Sequence, residues 1–97
     1  MGIKFPFDIK LVEGQVLRID GANAGSGFGG SIAIMDRTGS GWKLRQPPGV
    51  ISVRYGKACL TKDDLAQMLR FAAELPSVFA FVGVPDILIV AANGLEI

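Results

Sequence analysis

The chain has 97 residues, ten Lys and Arg against nine Asp and Glu, one cysteine and no histidine. That length makes one domain, residues 1–97, burying about 60–65% of the surface its unfolded form exposes. Without histidine there is no Ser-His-Asp or Cys-His catalysis, and with one cysteine there is no internal disulfide or multi-cysteine metal site.

Hydrophobic residues make up 49% of the chain. So apolar a composition in so small a chain calls for an oligomer interface to cover the excess. No segment reaches the roughly 18–20 apolar residues of a membrane span, and the N-terminal residues lack the apolar core of a secretion signal. The expected setting is the cytoplasm, with no membrane, no cofactor and no metal.

Phe5, Phe7, Ile9 and Leu11 alternate with Lys4, Asp8 and Lys10, the period of a half-buried strand. After a turn at Glu13-Gly14-Gln15, Val16 to Asp20 alternates again. A glycine-rich stretch, Gly25-Ser26-Gly27-Phe28-Gly29-Gly30, then separates it from a third run containing Ile32 and Ile34.

The spacing Gly25-x-Gly27-x-x-Gly30 matches the strand–loop–strand that covers nucleotide phosphates in protein kinases. The chain lacks the His-Arg-Asp and Asp-Phe-Gly sequences, and the length, that kinase chemistry requires. A dinucleotide site needs a helix after the glycines, and here a strand pattern follows. The stretch therefore reads as a mobile loop, with Asp20, Asn23, Ser26, Gly27, Gly29 and Gly30 as its candidate ligand-binding residues.

Trp42–Gln46 and Val50–Tyr55 read as two more strands around Pro47-Pro48-Gly49. Trp42 alternates onto the side of Leu44, toward a core. Residues 37–62 hold six bases and no acid, whereas residues 63–97 hold one base and five acids. Lys43, Arg45 and Arg54 thus define a candidate basic face on the hairpin 42–55, suited to anions or nucleic acid.

Thr61 is an N-cap with Asp64 three residues on, and Pro76 stops the helix between them. Leu65, Met68, Leu69 and Ala72 form its inner face. Phe71 and Leu75 widen the apolar arc and are the candidate oligomer contact. Cys59, just before the helix, reads as a buried structural thiol.

Val78–Val82 and Ile87–Ala92 are near-continuously apolar, as strands covered on both faces would be. Asn93-Gly94 is a hairpin-turn pair.

The expected fold is α+β: a mainly antiparallel sheet of five to seven short strands, a meander or a partly closed barrel, with one amphipathic helix packed on it. The expected function is a non-catalytic, self-associating binding protein, most simply a dimer, whose further partner is a small molecule or another protein. Nucleic-acid or anion binding through the 42–55 face is the alternative. A carboxylate-based enzyme using Asp20 or Asp36 is the third.

Overall fold

The computed structural model describes residues 2–96. Strands β1 (Phe7–Lys10), β2 (Gln15–Ala24), β3 (Gly27–Arg37), β4 (Trp42–Leu44) and β5 (Ile51–Tyr55) precede helices α1 (Lys62–Ala72), α2 (Pro76–Phe79) and α3 (Val84–Leu95). All strand pairs are antiparallel. The sheet is open, and the helices pack on it in the expected α+β class.

The registers assign the two faces. Phe7, Ile19, Ile32 and Ile51 lie in one row across the strands, and Ile9, Leu17 and Ile34 in the next. Together with Leu65, Met68, Leu69, Val78, Leu88 and Ala92 from the helices they form a single core. The opposite face carries Asp8, Arg18, Asp20, Ser31, Ser52 and Arg54. Among the described residues no element covers it.

The glycine stretch is not a loop. Only Gly25 and Ser26 make the turn, since Ala24 already pairs with Gly27. Gly21 and Gly30 are cross-strand partners on the core face. A Cβ on Gly30 would stand 2.8 Å from the Phe28 ring and overlap the Asp20 carbonyl oxygen. Phe28 therefore lies over a floor of bare backbone, and its ring stacks at a tilt on Phe5, 5.2 Å away. Glycine is selected here by close approach rather than by mobility.

Trp42–Gln46 and Val50–Tyr55 do not form a hairpin either. Both β4 and β5 pair with β3, on its edge away from β2. Met35 faces Leu44, whereas Ile32 faces Ile51. The partner chain thus takes four residues more than β3 over the same stretch, and these are Gln46-Pro47-Pro48-Gly49. The excursion is closed by the Gly49 N–H donating to the Arg45 carbonyl at 2.9 Å.

Helix α1 forms where expected. Thr61 accepts from the Asp64 N–H, and the Asp64 carboxylate accepts from the Thr61 N–H, a complete capping box. Leu65, Met68, Leu69 and Ala72 are fully buried.

Neither C-terminal run is a strand: Val78 and Phe79 end the short helix α2 and Ala80–Val82 form a turn, while Ile87–Ala92 lies within α3, making three helices among the described residues instead of one. A continuous apolar run does not separate the two periods. Here the buried residues Val84, Leu88, Ala91 and Ala92 recur at helical spacing. Gly83 turns the chain in with φ 85°, and Pro85 occupies the first turn of α3, where proline is tolerated. Asn93-Gly94 consequently lies inside a helix.

Gly30→Ala should cost about 1–3 kcal/mol or more, because the methyl group collides with backbone. Gly29→Ala, one residue away with nothing within 4 Å of a Cβ, should change stability by less than about 0.5 kcal/mol. Urea denaturation of the two variants checks the contrast.

Candidate functional site

The residues singled out from the sequence divide among three places. The first is the turn end of the β2–β3 hairpin. There Gly27, Gly29, Arg54, Tyr55 and Gly56 line an open cleft of about 440 Å³. The register sets Arg54 opposite Gly29, so two independently chosen features meet. Ser26 is exposed in the turn. Asp20 is farther along the open face and accepts from the Gly21 N–H at 2.8 Å.

Asn23 has a structural task. Its Nδ2 donates to the Cys59 carbonyl at 3.0 Å, and its Oδ1 accepts from the Cys59 N–H at 2.8 Å. The pair ties the end of β2 to the segment that leads into α1.

Lys43 and Arg45 do not share a face with Arg54. They alternate onto the core side of the sheet, beyond the helices, where Arg45 makes a two-pronged contact with Asp36 (Nε–Oδ2 3.0 Å, Nη2–Oδ1 2.8 Å). That guanidinium holds the Asp36 carboxyl below the usual carboxylate range. The basic face expected over 42–55 is therefore split. Arg45 is already neutralised, and Asp36 is locked as a charged partner.

The second place lies at the other end of the open face. Lys10, Glu13, Gly14, Gln15, Arg37 and Trp42 line a cleft of about 610 Å³. Trp42 does share a side with Leu44, but that side faces away from the core, and the indole is 47% exposed. Its cross-strand neighbour Arg37 makes a cation–π approach to it, with the guanidinium carbon 5.6 Å from the ring centroid. Sequence reasoning missed this site because alternation alone does not say which side of a sheet is covered.

The third place is the outer surface of α2 and α3. Phe79 is 72% exposed, Val82 fully and Val90 58%, with Ile89 beside them. Val12, Val90, Ile87 and Leu11 frame a small apolar groove next to it, with Asp86 at its rim. Of the expected contact residues, Phe71 is 41% exposed on α1, apart from this surface. Phe71 packs on Tyr55 with ring centroids 5.2 Å apart, and Leu75 is half-buried against the core.

No family model, curated protein or solved structure matches the chain. No helix among the described residues is long and apolar enough to cross a membrane.

Cys59 is buried, and burial pushes its thiol up to about 11. It should resist a thiol reagent at pH 8 in the folded protein and react on unfolding. The raised value stabilises the fold fully below the unfolded thiol's pKa of about 8.5. That contribution is lost as pH rises toward 11, and a Cys59→Ala variant should lose less stability over that range. Asn23→Ala should cost about 1–3 kcal/mol by leaving the Cys59 backbone groups without partners, read as a fall in melting temperature.

Proposed function

We propose that the protein is a non-catalytic binding protein that works as a homodimer, joined through the outer surface of α2 and α3. The observation that carries this reading is the solvent exposure of Phe79, Val82, Ile89 and Val90 on adjoining segments. Apolar side chains gathered on one surface, rather than scattered singly, mark an interaction site. The cytoplasm is the setting that fits one unpaired, buried thiol.

A second copy is the occupant that the charges favour. Asp86, Ile89, Val90 and Asn93 recur at the spacing of one helix ridge. Two α3 helices crossing antiparallel about an axis between Ile89 and Val90 would set each Asp86 opposite the other copy's Asn93. Arg70 donates to that Asn93 at 2.7 Å. Arg70 also pairs with Glu96, so each acid would meet a polar cluster of no net charge, and the two acids would stay apart. The apolar centre supplies the affinity and the charges supply the alignment.

Non-catalytic action is supported by how the candidate groups are engaged. Arg45 holds Asp36 ionised, and the Cys59 thiol is buried and protonated at neutral pH.

Light scattering at low micromolar concentration should give twice the monomer mass. Val90→Asp should give the monomer mass with an unchanged fold, because Val90 is exposed. Phe71→Ser should remain dimeric. A wild-type mass equal to one chain across the accessible concentrations would remove this reading. Loss of the dimer in Phe71→Ser, with retention in Val90→Asp, would move the contact to α1.

A further inference from the structure

We propose that the Trp42 cleft binds a small aromatic anion of the nucleoside-phosphate class. Its volume of about 610 Å³ falls within the roughly 300–1,000 Å³ typical of small-molecule sites. The inference does not rest on the dimer.

The lining supplies two complementary chemistries. Trp42 leaves nearly half of a large apolar ring in water, inside a concave surface. A planar base stacks on such a ring whatever its identity, because every base has a π-face. Arg37 stands beside the ring, and Lys10 lines the same cleft from β1, on the far side of β2 and β3. Among the described residues, Arg18, Arg45, Lys57 and Arg70 each have a carboxylate partner. Arg37 and Lys10 have none. An anion entering the cleft would thus not have to displace an existing ion pair.

Arg37 is held for the task. Its N–H donates to the Gly14 carbonyl at 2.8 Å, latching the β1–β2 turn to the end of β3. Its guanidinium lies over the indole, so a cation–π contact orients it toward the cleft before any ligand arrives. A planar guanidinium fork suits the geometry of a phosphate. Glu13 is the one acid in the lining. It leaves the cleft a single net positive charge and offers an acceptor to a sugar hydroxyl or a base amine. That balance suits one phosphate better than a long polyanion.

Trp42 is the only tryptophan in the chain, so its fluorescence reads occupancy directly. Titration with adenosine monophosphate should quench it saturably. Adenosine should bind at least about tenfold more weakly, the difference made by losing charged hydrogen bonds of about 1.5 kcal/mol or more. Arg37→Gln should weaken the nucleotide to a similar extent without lowering the melting temperature. Arg54→Gln, outside the cleft, should leave it unchanged. The monomeric Val90→Asp variant should bind as the wild type does, which separates failure of this proposal from failure of the dimer.

Absence of saturable quenching up to millimolar nucleotide would overturn the proposal, as would unchanged affinity in Arg37→Gln. A single-stranded oligonucleotide that binds more tightly than the mononucleotide, and is weakened by Arg54→Gln, would overturn it in favour of a polyanion track along the open sheet face.

Discussion

The register of the β2–β3 hairpin is the constraint on which the rest of the molecule depends. A slip of one residue would turn Leu17, Ile19, Ile32 and Ile34 out of the core and bring Arg18, Asp20 and Ser31 in. The hairpin turn alone does not fix a ten-residue pairing. The Gly21–Gly30 pair fixes it from within, because only there can Phe28 lie across the strands without meeting a Cβ. An aromatic ring over paired glycines regains apolar contact that the glycines themselves cannot provide. The ring also reaches Phe5, which brings the segment before β1 into the same layer.

A sheet fixed in this way can be covered on one side only, given how much helix follows. Helix α1 is anchored at its start by the Thr61–Asp64 box and at its approach by Asn23 on the Cys59 backbone. Helix α3 closes against α1, and Arg70 bridges their ends through Asn93 and Glu96. The layer is used up in making one core. What is left outside is a bare sheet face of short and polar side chains and an apolar outer helix surface. Different partners suit these two surfaces: the sheet ends offer polar clefts, and the helices offer a dry patch.

The legible part of the fold is the part where alternation and capping carry the information. Phe7 and Ile9, Leu17 and Ile19, and Ile32 and Ile34 announce strands because each apolar residue is flanked by residues that tolerate water. Thr61, Asp64 and Pro76 bracket a helix for reasons local to its ends. The glycine stretch misleads because glycine has two uses with one signature. Freedom of φ and ψ is one, and at Gly25 the backbone is indeed left-handed, with φ 61°. Absence of a Cβ is the other, and it governs Gly30, while Gly21, with φ 146°, requires both. Val78–Val82 and Ile87–Ala92 mislead because apolar residues stand at exposed positions (Phe79, Val82, Ile89, Val90) as well as buried ones, which erases the period. Only Gly83 and Pro85 signal the helix start, and both also suit a turn between strands.

The candidate sites were legible as residues but not as neighbours. Arg54 meets Gly29 only because β5 pairs with β3, and this follows from the Gln46–Gly49 excursion rather than from any local pattern. The excursion has an even number of residues, so the alternation established in β4 continues unchanged into β5. Arg45 and Arg54 are nine residues apart and must therefore fall on opposite faces. An odd excursion would have joined them on one side and built the basic face that composition suggests. The β3–β4 register puts Trp42 with Leu44 and Arg37 on the open side, where the indole is a surface group with a cation beside it. The three arginines of that dense run of positive charge are thereby distributed as one ion pair with Asp36, one arginine among glycines and one arginine on an indole. Each acts with its immediate neighbours and not as part of a common field, because the faces are separated by the thickness of the sheet and its buried core. The charge pattern of the middle third is thus a consequence of three local environments, and the specificity of any partner has to be sought in those environments one at a time.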